Sequence, residues 1–184
     1  MKATFSVHGK AQRGASAKGA WSLLRAPESE LKAAPGSKAP TPYTCLYESN
    51  PLRCVDLARD GVPASAIALV AQALGMPVAR VLKALNLPAS TMASKTKSQK
   101  KLSVDQSERL IQAMRLIGLA QRLVGEYGDP QLSQGFDAAR WFGKWLEEPN
   151  PALGMQKPAG LLDTAAGAGL VESVMHKMVC GACA

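Results

Sequence analysis

The chain has 184 residues, 47% of them hydrophobic, and carries a formal net charge of +8 at pH 7. This length suits one domain of ordinary size or two small ones. No apolar run is long enough to span a membrane, and the start lacks the continuous apolar stretch of a secretory signal. Four cysteines are too few and too unevenly placed for a secreted disulfide scaffold, so a cytoplasmic location is expected.

The charge is unevenly distributed along the chain. Residues 1–50 carry a net charge of +4 and residues 51–104 carry +6, whereas residues 105–184 carry −2. The simplest physical interpretation is a basic half that faces a polyanion and a near-neutral half that faces another partner. A basic tail that only keeps the chain soluble is the alternative.

Residues 1–45 are predicted to form a disordered basic arm. Ala, Ser, Gly, Pro and Lys make up 28 of the first 50 residues, and only Trp21-Ser-Leu-Leu24 has apolar content. Such a segment buries too little apolar surface to offset the loss of chain entropy. Three prolines before Tyr43 are typical of a linker, and part of residues 46–57 is expected to pack on the domain that follows.

Residues 46–126 are predicted to form a helical domain. Pro63 suits a first helical turn, and apolar residues then recur at helical spacing until Gly75 ends the run. A second helix fits residues 78–85, and a third fits residues 89–97 after a short turn.

The longest predicted helix follows these three. Ser103 and Gln106 form a capping-box pattern at its head, and it is expected to run to about residue 126. Its apolar residues lie on two stripes, which predicts a central helix that is covered on more than one side.

Residues 78–95 have the layout of a helix-turn-helix, in which the second helix presents its first residues to the major groove. Short hydroxyl groups there can bind base edges, and lysines can neutralise phosphates. The residues predicted to contact DNA are Ser90, Thr91, Ser94, Lys95, Lys97, Lys100 and Lys101. Two short helices joined by a turn occur in many helical domains, and a lysine run is also typical of a solvated face.

Residues 127–184 are predicted to form a second helical unit. Asp129-Pro130 interrupts the pattern, after which an amphipathic helix carries a group of aromatic side chains. Most of these belong in a core, and one or two suit an interface. The aromatic residues are Phe136, Trp141, Phe142 and Trp145.

A turn-rich segment follows this helix and contains almost nothing that could do chemistry. Pro149-Asn-Pro-Ala-Leu-Gly154 closes the helix, Pro158 opens the next helical turn, and Thr164 can cap a last helix. So many turn constraints beside an apolar pair favour a surface shaped for another protein. No alternating strand pattern occurs, so the chain is predicted to be all-α.

Several segments resemble the Xre/MbcA/ParS antitoxins, the antitoxin halves of bacterial type II toxin–antitoxin pairs whose toxin has a RES domain. The resemblance covers about residues 55–180. It is carried by Pro88-Ala-Ser-Thr-Met-Ala-Ser-Lys95, by Leu102-Ser-Val-Asp-Gln-Ser-Glu-Arg-Leu110, and by Trp145-Leu…Pro149-Asn-Pro-Ala-Leu-Gly154…Pro158…Leu161-Leu-Asp-Thr164…Gly167…Val171.

The resemblance implies an Xre/Cro-like helix-turn-helix domain that the long central helix joins to a small toxin-binding domain. It also implies a homodimer that represses its own promoter, and a RES-domain toxin that consumes NAD and whose active site the antitoxin occludes. No enzymatic role, cofactor, metal or membrane is expected. The residues predicted to bind the toxin are Trp145, Pro149, Asn150, Pro151, Leu153, Gly154, Leu161 and Leu162.

The chain departs from the family pattern at two places. Ser94-Lys95 stands where the family tends to be arginine-rich, and Met155 stands where the family usually has a second glycine.

Two other functions remain open at this point. One is a stand-alone helix-turn-helix regulator without a toxin partner. The other is a thiol or metal protein that uses Cys180-Gly-Ala-Cys183, completed by Cys45 and Cys54 in a zinc site. The C-x-x-C pair follows a helix, whereas reactive pairs usually lie at a helix N-terminus.

Overall fold

A computed structural model describes residues 40–179 except 130, 132 and 134, together with residue 181. Eight α-helices and two short 3-10 segments make up this part of the chain, so the all-α prediction is confirmed. Its only β-type contacts are two isolated bridges. The helices are α1 Pro42–Glu48, α2 Pro51–Asp60, α3 Ala66–Leu74, α4 Val78–Ala84, α5 Ala89–Lys97, α6 Val104–Tyr127, α7 Ala138–Trp145 and α8 Ala165–Val179.

The long helix α6 lies at the centre of the fold, and α1, α2, α7 and α8 all pack against it. The predicted capping box is present, since the Ser103 side chain accepts from the Gln106 backbone and the Gln106 side chain accepts from the Ser103 backbone. One residue in its middle, Gly118, permits close packing, because a Cβ there would collide with the carbonyl oxygen of Tyr43 on α1.

Helical structure is present on the N-terminal side of the boundary predicted after residue 45. Helix α1 starts at Pro42, and its Tyr43 and Leu46 are buried. The Thr41 side chain caps this helix and is hydrogen-bonded to Gln121 on α6. The rest of the predicted disordered arm, residues 1–39, lies outside the described residues.

Pro63 was expected in a first helical turn, but it precedes α3 and pairs with Lys101 in an antiparallel bridge. Beside it, the Val62 backbone donates to the hydroxyl of Ser107 at 3.0 Å, and the Leu102 backbone donates to the Val62 carbonyl at 2.8 Å. Ser107 is fully buried. These bonds fasten the α2–α3 link to the segment that enters α6.

Gly75 ends α3 as predicted, with a left-handed φ of 64°. The chain then turns sharply, so that α3 and α4 are bent by 102° relative to each other. Among the described helices, none alone is long and apolar enough to cross a membrane, and this bent pair passes that test only when its two members are counted together.

The C-terminal helices pack directly on the first half of the chain. Gly143 on α7 lies against the end of α3, and a Cβ at this position would collide with the Leu74 carbonyl oxygen. The cores of the two halves are therefore continuous, and one cluster of buried residues extends from Tyr43 to Met175.

Candidate functional site

Helices α4 and α5 form the predicted helix-turn-helix. Leu85 and Leu87 are buried on either side of Asn86, which adopts a left-handed φ of 49° and reverses the chain. Asparagine tolerates this conformation better than most residues. Arg109 on α6 donates from Nη1 to the carbonyl oxygens of Leu85 at 3.2 Å and Asn86 at 3.0 Å. The central helix thus holds the turn in place.

The predicted recognition helix, α5, has one buried anchor and an exposed polar face. Met92 is the residue of this helix that enters the core. Ser90, Thr91 and Ser94 are all exposed, and the structure therefore brings the three predicted hydroxyl groups to one accessible surface.

The four predicted lysines differ in their surroundings. Lys97 and Lys100 are exposed. Lys95 is partly buried, and its Nζ donates to Gln106 Oε1 at 2.8 Å, which links α5 to the capping box of α6. Lys101 donates to the Asp60 carbonyl oxygen at 2.8 Å. Lys95 and Lys101 therefore also help to hold the helices together.

The Pro-Asn-Pro segment forms a closed loop whose centre is Asn150. The carbonyl oxygen of Asn150 accepts from the backbones of Leu153 at 3.0 Å and Met155 at 2.9 Å, and its N–H donates to Gln156 O at 3.0 Å. Its side-chain oxygen accepts from Ala152 N at 2.9 Å. Asn150 therefore fixes the shape of the loop through its backbone groups and its side-chain oxygen, which are paired within the loop.

The other predicted toxin-binding residues divide into three groups. Trp145 and Leu162 are buried members of the hydrophobic core. Leu153 and Leu161 are partly buried. Pro149, Pro151 and Gly154 are exposed, so a partner can reach these three without any rearrangement.

Met155 is a residue of this loop that the predicted set does not include. It has a left-handed φ of 63°, directly after Gly154 with the same value, and it is 64% exposed. The sequence alone could have pointed to Met155, because the family usually has glycine at this position and glycine adopts the left-handed conformation freely.

One ion-pair cluster joins the loop to the helix-turn-helix. Arg80 on α4 bonds to Glu147 at 2.8 Å, and Lys157 at the end of the loop lies 3.6 Å from the same carboxylate. Both cations are more than half exposed, so each pair contributes modestly to stability. The cluster has a structural consequence, because it holds the loop beside α4.

An apolar groove of about 360 Å³ opens at the far end of α6 and α8. Tyr127 and Met178 on its rim are exposed, and Trp141 forms part of its wall. Trp141 stacks on Trp145 with ring centroids 6.3 Å apart, so the aromatic group predicted from the sequence connects the groove to the core.

The described residues do not test the cysteine hypothesis. Cys180 and Cys183 lie outside them, and no group of three metal-binding side chains occurs within them. Burial raises the pKa of the Cys45 thiol, which lowers its thiolate fraction near neutral pH. His176 lies 3.4 Å from the Tyr47 hydroxyl.

Comparison with known proteins gives two family matches and one relative. Residues 55–115 match the antitoxin Xre-like helix-turn-helix domain, and residues 120–178 match the antitoxin Xre/MbcA/ParS C-terminal toxin-binding domain. A relative from Sphingobium sp. (strain YBL2), named Prs ADP-ribosylating antitoxin, is 34% identical over 143 residues. That alignment covers 78% of this chain and 88% of the relative.

Proposed function

The chain belongs to the Xre/MbcA/ParS antitoxin family, and from this premise we propose that it neutralises a RES-domain toxin by direct binding and represses its own operon. Membership of this family means that the chain is an antitoxin with a helix-turn-helix domain and a toxin-binding domain. The toxin's identity, its chemistry and the autoregulation are the proposal.

The closed loop around Asn150 carries the toxin-binding part of the proposal. It lies within the range that matches the toxin-binding domain, and its backbone is held by internal hydrogen bonds. Exposed Pro149, Pro151 and Gly154 form a rigid surface without charge. A partner that binds a preformed surface loses less conformational entropy than one that must order a flexible segment.

The NAD-consuming chemistry of the toxin is supported by the name of the Sphingobium relative, which refers to ADP-ribosylation. Transfer of ADP-ribose takes that group from NAD, so a toxin of this class consumes NAD. The antitoxin needs no reactive side chain of its own to stop such an enzyme, because occlusion of the active site is sufficient. We therefore propose that this chain acts as a binding protein and not as a catalyst.

Operator binding is proposed for the surface of α5. Ser90, Thr91 and Ser94 stand on its exposed face, and Lys97 and Lys100 follow at its end. Hydroxyl groups suit base edges, and lysines suit phosphates. We propose that the chain acts as a cytoplasmic homodimer, since helix-turn-helix proteins usually bind paired half-sites with two-fold symmetry.

The proposal predicts that a RES-domain protein is encoded beside this chain's gene, and co-expression with that protein tests it. The expected result is that cells survive the RES protein only when this chain is present, and that the two proteins co-purify. Equal poisoning with and without the chain, and no complex, would contradict it. If the chain still binds its own promoter in that case, it is a stand-alone regulator.

A further inference from the structure

Met155 combines two features that seldom occur in one residue. Its φ of 63° lies in the left-handed region, where a Cβ is sterically costly, and its side chain is 64% exposed. The exposed part of an apolar side chain contributes little to the stability of the free protein. The fold therefore bears a strained backbone at a residue whose side chain it scarcely uses. Strain of this kind clusters at functional sites.

The strain is held in place by the loop. The Met155 N–H donates to the Asn150 carbonyl oxygen at 2.9 Å, and the next residue, Gln156, accepts from the Asn150 N–H at 3.0 Å. These two bonds fix the backbone on both sides of Met155 within the loop. Gly154 before it is exposed, and a Cβ at Gly154 would meet no atom within 4 Å apart from its chain neighbours.

We infer that Met155 is an anchor through which this antitoxin enters an apolar pocket on its RES-domain toxin; the inference rests on the proposed function. Methionine suits such a pocket because its unbranched, polarisable side chain adapts to irregular apolar shapes. Pro149 and Pro151 of the same loop are exposed and uncharged. A few anchor residues carry most of the binding energy of a protein interface, and the contacts around them contribute little energy but exclude water.

The test compares three variants of the 184-residue chain with the unchanged chain for binding to the RES-domain toxin of the proposed function. Met155→Gly removes the side chain and relieves the backbone strain. Met155→Leu retains an apolar side chain of similar size. Leu170→Ala is the matched control, because Leu170 is 55% exposed on a helix outside the loop. The dissociation constant and the thermal midpoint are measured for each.

Met155→Gly is expected to keep or raise the thermal midpoint and yet to weaken binding by about tenfold or more. Met155→Leu and Leu170→Ala are expected to stay within about threefold of the unchanged chain. If the Met155 side chain only stabilised the fold, Met155→Gly would lower both the thermal midpoint and the affinity for the toxin.

Binding by Met155→Gly within about threefold of the unchanged chain would overturn the inference and leave the proposed function standing. A loss by Met155→Leu as large as that by Met155→Gly would also overturn it. If the unchanged chain itself does not bind the RES-domain protein, the proposed function fails and the inference fails with it.

Discussion

The guanidinium of Arg109 lies 3.0 Å from the carbonyl oxygen of Asn86, and this contact ties the turn of the helix-turn-helix to the central helix. The same nitrogen also reaches Leu85 O at 3.2 Å. A left-handed residue in a turn is stable when its surroundings fix it. The orientation of α5 against DNA therefore depends on a side chain that belongs to another helix.

Replacing Arg109 by Ala should lower the free energy of unfolding by about 1–2 kcal/mol, because two carbonyl oxygens lose a charged donor. Operator binding should weaken as well, since the turn that positions α5 is released. Urea denaturation and fluorescence anisotropy with promoter DNA measure the two effects. Glu108→Ala, at the exposed neighbouring position, should change stability by less than about 0.5 kcal/mol. Equal effects of both variants would show that the turn contact has no special role.

Removing Lys97 or Lys100 should reduce the salt dependence of operator binding. Each exposed lysine that neutralises a phosphate adds about 0.9 to the slope of log K against log salt concentration. Lys97→Ala and Lys100→Ala should each lower this slope by about 1 and leave toxin binding unchanged. Lys144→Ala on α7 is the control, because it removes an exposed charge from the other half of the chain. A slope that Lys144→Ala lowers by the same amount would point to an effect of net charge alone.

Gly143→Ala should destabilise the protein by at least about 1–3 kcal/mol, because the added methyl group would collide with the Leu74 carbonyl oxygen. Backbone atoms on both sides of this contact cannot move aside as a flexible side chain would. Gly160→Ala provides the comparison, since a Cβ at Gly160 meets no atom within 4 Å. Thermal unfolding should therefore separate the two alanine variants clearly, and equal midpoints would show that α3 and α7 pack less tightly than described.

Burial raises the pKa of Tyr43 to about 12 from its usual value near 10. Between these values the unfolded chain ionises at this residue while the folded protein keeps the proton, so the contribution of Tyr43 to stability is lost as the pH rises. The loss should be roughly 1–3 kcal/mol between pH 10 and 12. Urea denaturation gives the free energy of unfolding of the unchanged chain and of Tyr43→Phe. The difference between these two values should change between pH 10 and 12. A constant difference would mean that the hydroxyl is not shielded from solvent.

Much of the fold could be predicted from local patterns in the sequence. The predicted range 89–97 coincides with α5, and the capping box of Ser103 and Gln106 is present. Local hydrogen bonds and helical spacing decide these features, so neighbouring residues are sufficient to reveal them.

Other features depend on residues far apart in the sequence, and these could not be predicted. The bond from Arg109 to Asn86 spans 23 residues, and Lys95 pairs with a residue of the next helix. Trp145 was predicted to bind the toxin, and it is buried; how far an aromatic side chain is covered depends on how α7 packs against its neighbours. The assignment of individual residues to the DNA and toxin surfaces stays a prediction.

The match to the helix-turn-helix domain ends at residue 115, and the match to the toxin-binding domain begins at residue 120. Both boundaries lie inside α6. Between them lies Gly118, against which α1 packs. A chimaera that exchanges the toxin-binding domain at these match boundaries would therefore have to join two sequences within one continuous helix, in register and without disturbing Gly118.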